Sequence, residues 1–281
     1  MMKVGVVVQH GPGQTMEAKF EAIRREGFTS CQLVSWDPSL WTEEEAKAVK
    51  EALARTGVTL SAFWCGWEGP KAWDFYGGQE TLGLVPVAYR FARMQNLMNG
   101  ADFAARLGVT DVVSHMGFIP ENPYDPQYAG FIEGMKEVAL HLKQQNQYLL
   151  FESGQETPVT MLRAFEDIGT GNLGVNLDTA NLILYGKANP VDALCVLGKY
   201  VRGVHAKDGL YPTDGRALGR EVPLGQGKVD FLRFLHELTL LGYDGDLTIE
   251  REIEGDEQIR DIRMARDFLM ELLTKEREGV C

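Results

Sequence analysis

Tyr148-Leu149-Leu150-Phe151-Glu152 is an apolar run that ends abruptly in a carboxylate, and Ser153-Gly154-Gln155-Glu156-Thr157-Pro158 follows it. A continuous apolar run of this length suits a strand covered on both faces, as in a parallel sheet. Thr157-Pro158 has the form of an N-cap and first helical residue, so a helix follows. Glu152 is therefore expected at the carboxyl end of a parallel strand, the end where such folds place their chemistry.

The same unit recurs on both sides of that stretch. On the N-terminal side, Lys3 to Val8 precedes a helix from about Thr15 to Glu26 with Phe20, Ala22 and Ile23 on one face, closed by Gly27. Ser30 to Val34 precedes a helix opened by Thr42 with Glu45 three residues later, a capping box, and closed by Gly57. Val58 to Phe63 is a third strand, and Val87 to Leu107 a long helix. Val109 to Ser114 is a fourth strand ending in His115-Met116-Gly117, and Asp125-Pro126 starts a helix with Ile132, Met135, Ala139 and Leu142 inward.

On the C-terminal side, a helix carrying Leu162, Phe165 and Ile168 leads to Asn172 through Asp178, a sixth strand that again ends in an acid. Asn189-Pro190 opens a helix with Val191, Leu194 and Leu197 at helical spacing. Val201 to His205 is the seventh strand, followed by a loop of roughly twenty residues before the helix of Phe231, Phe234, Leu235 and Leu238. Asp246 to Glu250 is the eighth strand, and Ile259, Ile262, Phe268 and Leu272 are expected to line the last helix. Eight strand and helix alternations without a break in composition predict an α/β fold, a single (β/α)8 barrel over residues 1–281, rather than two domains or a doubly wound open sheet. Neither GxGxxG after the first strand nor GxxxxGK[ST] occurs, so nucleotide-binding loops are not indicated.

Composition narrows the function classes. Of 281 residues, 28 are Lys or Arg and 40 Asp or Glu, a net charge of −12 without a basic block, which argues against a nucleic-acid partner. The start, Met1-Met2-Lys3, runs into a strand without the features of a signal peptide, and no apolar run is long enough to span a bilayer. Cys31, Cys65, Cys195 and Cys281 lack CxxC spacing and read as reduced thiols of a cytoplasmic protein.

Strands five to eight thus end in Glu152, Asp178, His205 and Glu250, which a barrel gathers around one point on its rim. Three carboxylates repel one another when close unless a cation offsets their charge. An oxygen-rich set with one imidazole suits Mn²⁺, Mg²⁺ or Co²⁺ better than a structural zinc, so one divalent metal is expected, Mn²⁺ first, with Mg²⁺, Co²⁺ or Zn²⁺ as alternatives. A single acid after a strand is commonly a helix cap; four successive strand ends are a different matter.

Glu152 after Tyr-Leu-Leu-Phe, Asp178 in Asn-Leu-Asp-Thr-Ala-Asn, His205 in Val-His-Ala-Lys-Asp, Pro-Leu-Gly-Gln-Gly at 223–227 and Gly242-Tyr243-Asp244-Gly245 before Ile249-Glu250 resemble the xylose-isomerase-like sugar phosphate isomerase/epimerase family. The resemblance is strongest from Leu149 to Glu250. It implies a TIM barrel holding one divalent metal through Glu152, Asp178, His205 and Glu250, with a small-molecule sugar as substrate. In ketose 3-epimerases of the family the two glutamates act as acid and base on opposite faces of the substrate. A metal-chelated enediolate accounts for that chemistry, and the same ligand set allows epimerisation, aldose-ketose isomerisation or dehydration of an inosose. An abasic-site DNA endonuclease and a non-catalytic sugar-binding protein rank behind these. The chain departs from many ketose epimerases at Asn181, three residues after Asp178, where they carry a histidine that contacts substrate.

Other residues carry weaker signals. His115, Asn181 and Lys207 are candidates to contact substrate, Lys207 having a solvated pair with Asp208 as its bland alternative. Glu156 either orients substrate or belongs to a helix's first turn. His10 follows the first strand near the mouth, while His141 and His236 lie in helices as ordinary surface or packing residues. The aromatic segment from Trp64 to Tyr76 reads as a wall over a sugar ring, a lid, or a packed insertion or dimer contact of a homo-oligomer. Arg216 and Arg220, in the long loop, either hold a phosphate of the substrate or are the charges that a solvated loop commonly carries.

Overall fold

The computed structural model describes residues 2–278. Met1 and Cys281, both used in the sequence reading, lie outside the described residues. In chain order the strands are β1 (Lys3–His10), β2 (Ser30–Ser35), β3 (Thr59–Cys65), β4 (Asp111–Ser114), β5 (Tyr148–Glu152), β6 (Leu173–Asp178), β7 (Val201–Ala206), β8 (Asp208–Leu210), β9 (Arg220–Val222) and β10 (Asp246–Ile249). The helices are α1 (Met16–Arg25), α2 (Glu43–Thr56), α3 (Gly77–Thr81), α4 (Val87–Leu107), α5 (Pro126–Gln144), α6 (Pro158–Ile168), α7 (Asn181–Leu184), α8 (Pro190–Leu197), α9 (Phe231–Leu240) and α10 (Asp256–Glu278).

Eight of these strands close into a barrel in the order β1-β10-β7-β6-β5-β4-β3-β2, every neighbouring pair parallel. The expected (β/α)8 barrel is the fold. β5 lies between β4 and β6, with Ser114 opposite Phe151 and Glu152 opposite Asn176, and Leu149 through Glu152 are all buried. Strand alternation sorts them: Leu149 and Phe151 pack outward under the helices, Leu150 packs inside the barrel with Val34, Ala62, Trp64 and Val113, and Glu152 follows Leu150 by two. Phe151 sits edge-on to Phe131 of α5 and Phe165 of α6, with ring centroids 6.3 and 4.9 Å away. Burying such a ring contributes roughly 1.5–3 kcal/mol and fixes β5 against both helices.

Local sequence explains the helix starts. Thr157, Asp125 and Asn189 are N-caps whose side chains accept from backbone N–H groups of α6, α5 and α8, each with Pro at the first helical position. Gly57, Gly108 and Gly169 close α2, α4 and α6 in the left-handed conformation.

Several expectations need correction. Thr42 Oγ1 accepts from Glu45 N–H at 3.1 Å, but the Glu45 carboxylate reaches His10 Nε2 at 3.1 Å, so the box is drawn into a tertiary contact. The long loop after β7 contains the antiparallel pair β8 and β9. Ile259 is 42% exposed; α10 presents Ala265, Leu269, Leu272 and Leu273 inward instead, with Ile262 and Phe268 beside them. Trp64 belongs to β3 rather than to the segment after it, and Glu250 follows β10, its N–H donating to Ala206 O at 3.3 Å.

Candidate metal and sugar site

The four strand-end residues converge. One ligand atom from each of Glu152, Asp178, His205 and Glu250 lies within 4.8 Å of the others. Asp178 and His205 are paired in register across β6 and β7, and each is fully buried. His205 Nδ1 stands 3.1 Å from Glu152 Oε1, 3.4 Å from Glu250 Oε2 and 3.7 Å from Asp178 Oδ2. Its other nitrogen, Nε2, is 2.7 Å from Gln32 Oε1, an acceptor only. That bond keeps a proton on Nε2, so Nδ1, which faces the three carboxylates, is the nitrogen that would give up its proton to a metal.

Asp178 divides its work between its two oxygens. Oδ1 accepts from the N–H groups of Ala180 and Asn181 at 2.9 and 2.7 Å, an Asx-type turn leading into α7. Oδ2 is buried without a hydrogen-bond partner and faces the cluster. An orphaned carboxylate oxygen beside an imidazole nitrogen and two more carboxylates is a donor set that fits a divalent cation.

The carboxylates also share the protein's own cations. Lys207 is 1% exposed, with Nζ 3.1 Å from Glu250 Oε2, 2.9 Å from Glu252 Oε2 and 3.9 Å from Asp178 Oδ2. Its pairing is with the rim acids, not with Asp208. Burial works against ionising Glu250, yet Lys207 and His205 hold it well below the usual carboxylate range. Burial likewise opposes charge on Glu152, and His205 and His115 outweigh it. For Asp178 burial dominates and raises the group, with Lys207 in partial opposition. Burial disfavours the charged forms of His205 and Lys207, but the surrounding carboxylates raise both well above their ordinary values.

Trp64 Nε1–H donates to Glu152 Oε2, and His115 Nε2 lies 3.4 Å from Glu152 Oε1, so both oxygens of Glu152 are held. His115 Nδ1 is buried and unpaired. Asn181 is buried, its Oδ1 accepting from Lys207 Nζ at 3.4 Å. Glu156 precedes the cap of α6 instead of sitting in its first turn; it is 2% exposed, neither oxygen has a hydrogen-bond partner, and burial pushes it up to about 8. His10 is occupied by Ser35 at 3.0 Å and Glu45 and stacks on Phe103, away from the cluster. His141 and His236 form surface pairs with Asp102 and Glu276.

The aromatic segment lines one side. Trp36 packs on Trp64, Trp67 and Trp73 with ring centroids 4.8, 5.2 and 6.5 Å away, and Trp73 reaches His115 at 5.2 Å. Arg93, 1% exposed, anchors the segment by donating to Thr81 O and Gly83 O at 2.6 Å, Pro70 O at 2.8 Å and Glu68 O at 3.4 Å. Gln32, Trp36 and Arg93 were missed in the sequence reading. A signal existed for Gln32: it is the lone amide in Cys31-Gln32-Leu33-Val34, a polar side chain in a strand buried along its whole length.

Fold and site together define a (β/α)8 barrel of the sugar epimerase and isomerase type with a candidate metal cluster on its rim. Residues 20–272 match the xylose isomerase-like TIM barrel family, and the chain belongs to that family. A solved xylose isomerase domain protein from Planctomyces limnophilus is 30% identical, with a TM-score of 0.88 over 100% of this chain and 99% of that one. A putative L-ribulose-5-phosphate 3-epimerase, SgbU, from Haemophilus influenzae is 24% identical over 84% of this chain and 81% of its own. An uncharacterized Methanocaldococcus jannaschii protein, MJ1311, is 30% identical over 118 residues; the match covers 42% of this chain and 37% of that protein. No helix among the described residues is long and apolar enough to cross a membrane.

Proposed function

We propose that the protein is a metal-dependent sugar isomerase or epimerase, in which Glu152 and Glu250 exchange a proton with a carbon next to the sugar's carbonyl. The observation that supports this reading is the approach of the two glutamates to one atom, His205 Nδ1, at 3.1 and 3.4 Å from strand ends separated by β6 and β7. Two carboxylates flanking one point from different sides can act as base and acid on one substrate.

Glu152, Asp178, His205 and Glu250 would hold the metal, Mn²⁺ first among the candidates. When bound, the cation supplies Lewis acidity that offsets charge on the carbonyl oxygen as the proton leaves. The chain's residues do the rest. Glu152 is kept ionised chiefly by His205, with His115 beside it, and is oriented by the Trp64 N–H, which suits it to remove a proton at a fixed angle. Glu250 is held by Lys207, whose ammonium also reaches Glu252 and Asn181 Oδ1, so a substrate oxygen at this corner would take the place of one of those acceptors. The two-sided arrangement favours return of the proton at the opposite face, and the neutral amide of Asn181 leaves the position of return open to the substrate's own shape. Trp36, Trp67 and Trp73 shield one side of the site from water.

Chelation followed by reloading tests the metal. Stripped protein should lose turnover across a panel of ketoses, ketose phosphates and inososes, and Mn²⁺ should restore it. Undiminished turnover by stripped protein would sink the proposed site.

A further inference from the structure

The barrel wall opens at one seam near the rim. β1 pairs with β10 from Lys3–Asp246 only as far as Val6–Ile249, yet it continues beside β2 to His10–Ser35. Glu250 N–H stays with Ala206 O of β7, so from Val7 onward β1 parts from the chain that runs on through Glu250, Arg251 and Glu252. The helices α1 and α10 run back from the rim on either side of this seam. At the foot of α1 they are tied: the Glu26 carboxylate accepts from Arg263 Nη2 at 2.6 Å, and the Glu26 carbonyl from Arg266.

A cavity of about 860 Å³ occupies the seam between the rim and that tie. Val7, which packs inside the barrel, and Val6 and Val8, which pack outside it, all line the cavity, and so does Glu250 of the rim cluster. The candidate metal site and the cleft are therefore continuous at Glu250. Between the charged margins the cleft is aliphatic: Val7, Ala22, Ile23, Ile253, Ile259 and Ile262 line it and keep accessible surface. Ile259, out of place as a core residue, is a wall of this cleft. Lys19 closes the edge along β1, its Nζ donating to Gln9 O and Gly11 O at 2.8 and 3.3 Å, while Arg25, Glu252 and Glu254 stand exposed around the opening. Sites that bury a drug-sized ligand measure roughly 300–1,000 Å³ and are mostly apolar, so this one has room for more than a single sugar ring.

We propose that the substrate is a keto-glycoside whose aglycone, an alkyl or aryl group joined through the glycosidic oxygen, leaves the rim beside Glu250 and lies between α1 and α10. The sugar half of this statement rests on the isomerase reading; the aglycone half rests on the cleft. The glycosidic bond is untouched, and the ketone stands at a ring carbon other than the anomeric one. Aliphatic walls bury C–H surface without directional demands, so the length of the appended chain, more than its polar groups, sets the affinity.

The test titrates Mn²⁺-loaded protein calorimetrically with methyl, butyl and hexyl glucosides carrying a ketone at C2, C3 or C4. Each buried methylene should tighten binding by about two- to fourfold, so the hexyl member should bind at least about thirtyfold more tightly than the methyl one. A gain below about threefold across the series overturns the inference. Ile259→Glu, at a position where a carboxylate still reaches solvent, should flatten the series, whereas Leu240→Glu, exposed at the end of α9, should leave it as it is. A series unchanged by Ile259→Glu, or flattened by both variants, overturns the inference. Hexyl affinity that falls as protein concentration rises would give the cleft to a second copy of the chain and overturn it too. Deuterium exchange from D₂O separates the two readings. Exchange with no dependence on chain length upholds the isomerase and removes the aglycone site; a chain-length series without exchange keeps the cleft and sinks the isomerase.

Discussion

Replacing Gln32 by Leu should weaken metal binding while leaving every proposed ligand in place. Gln32 is 1% exposed, and its Oε1 is the partner of His205 Nε2 at 2.7 Å, while its amide donates to Asn176 Oδ1 at 3.3 Å. Leucine is close in volume, so the cavity contribution is small, but it cannot accept the imidazole proton. His205 then loses the bond that fixes its ring and directs Nδ1 toward Glu152, Asp178 and Glu250. Loss of such an outer partner typically lowers metal affinity by about 10–100-fold. At 1.4 kcal/mol per decade that is about 1.4–2.8 kcal/mol. The orphaned N–H adds about 1–3 kcal/mol to the cost of folding, to be followed separately by the Tm of stripped protein. Free Mn²⁺ measured by electron paramagnetic resonance during titration gives the affinity directly. Gln32→Glu, which retains an acceptor and adds basicity, should bind at least as tightly as the native chain. A folded Gln32→Leu protein whose Mn²⁺ affinity stays within about threefold of native would show that His205 is not a ligand oriented in this way.

Trp64→Phe keeps the aromatic packing but removes the donor to Glu152 Oε2, so turnover should fall by about 10–100-fold, the worth of a hydrogen bond to a buried charge, with a smaller change in KM; native kcat would detach Trp64 from the glutamate. Glu156 is raised from 4.5 to about 8, so the native state keeps a proton that the unfolded chain releases as pH rises through 4.5. Stability should therefore fall between about pH 4.5 and pH 8 and then level off, and Glu156→Gln should flatten that slope and gain on the order of a few kcal/mol at pH 8 in urea unfolding; parallel profiles would contradict the burial of this charge. Arg93→Ala should cost about 3–5 kcal/mol and speed amide exchange selectively across residues 66–86, because four carbonyls lose their donor; uniform exchange would refute its anchoring role.

The fold was legible because strand and helix periods alternate cleanly and because Thr157-Pro158, Asp125-Pro126 and Asn189-Pro190 announce their helices by cap chemistry alone. The rim was legible for a related reason: a charged residue that ends a buried apolar strand has few places to go, and four such strands in succession must share one. Less visible was everything set by tertiary pairing. Glu45 has the spacing of a capping box, but His10, at the end of β1, competes for its carboxylate. Lys207 looks like a solvated lysine in sequence, and only closure of the barrel brings Glu250 and Glu252 around it. Asp208 looks like its partner, yet the glycines of the loop seventeen and nineteen residues on collect that carboxylate. Ile259 fits a helical period, but in the first turn of α10 it is 42% exposed, and the helix buries its apolar side chains further along, at Ala265, Leu269, Leu272 and Leu273.

Deuterium uptake from D₂O, followed by NMR, at the carbon beside the carbonyl of a ketose tests the central claim most directly. Mn²⁺-loaded native protein should exchange that hydrogen, while Glu152→Gln and Glu250→Gln, each folded, should lose nearly all exchange; near-native exchange in either variant, or none in the native protein across the sugar panel, would contradict the account.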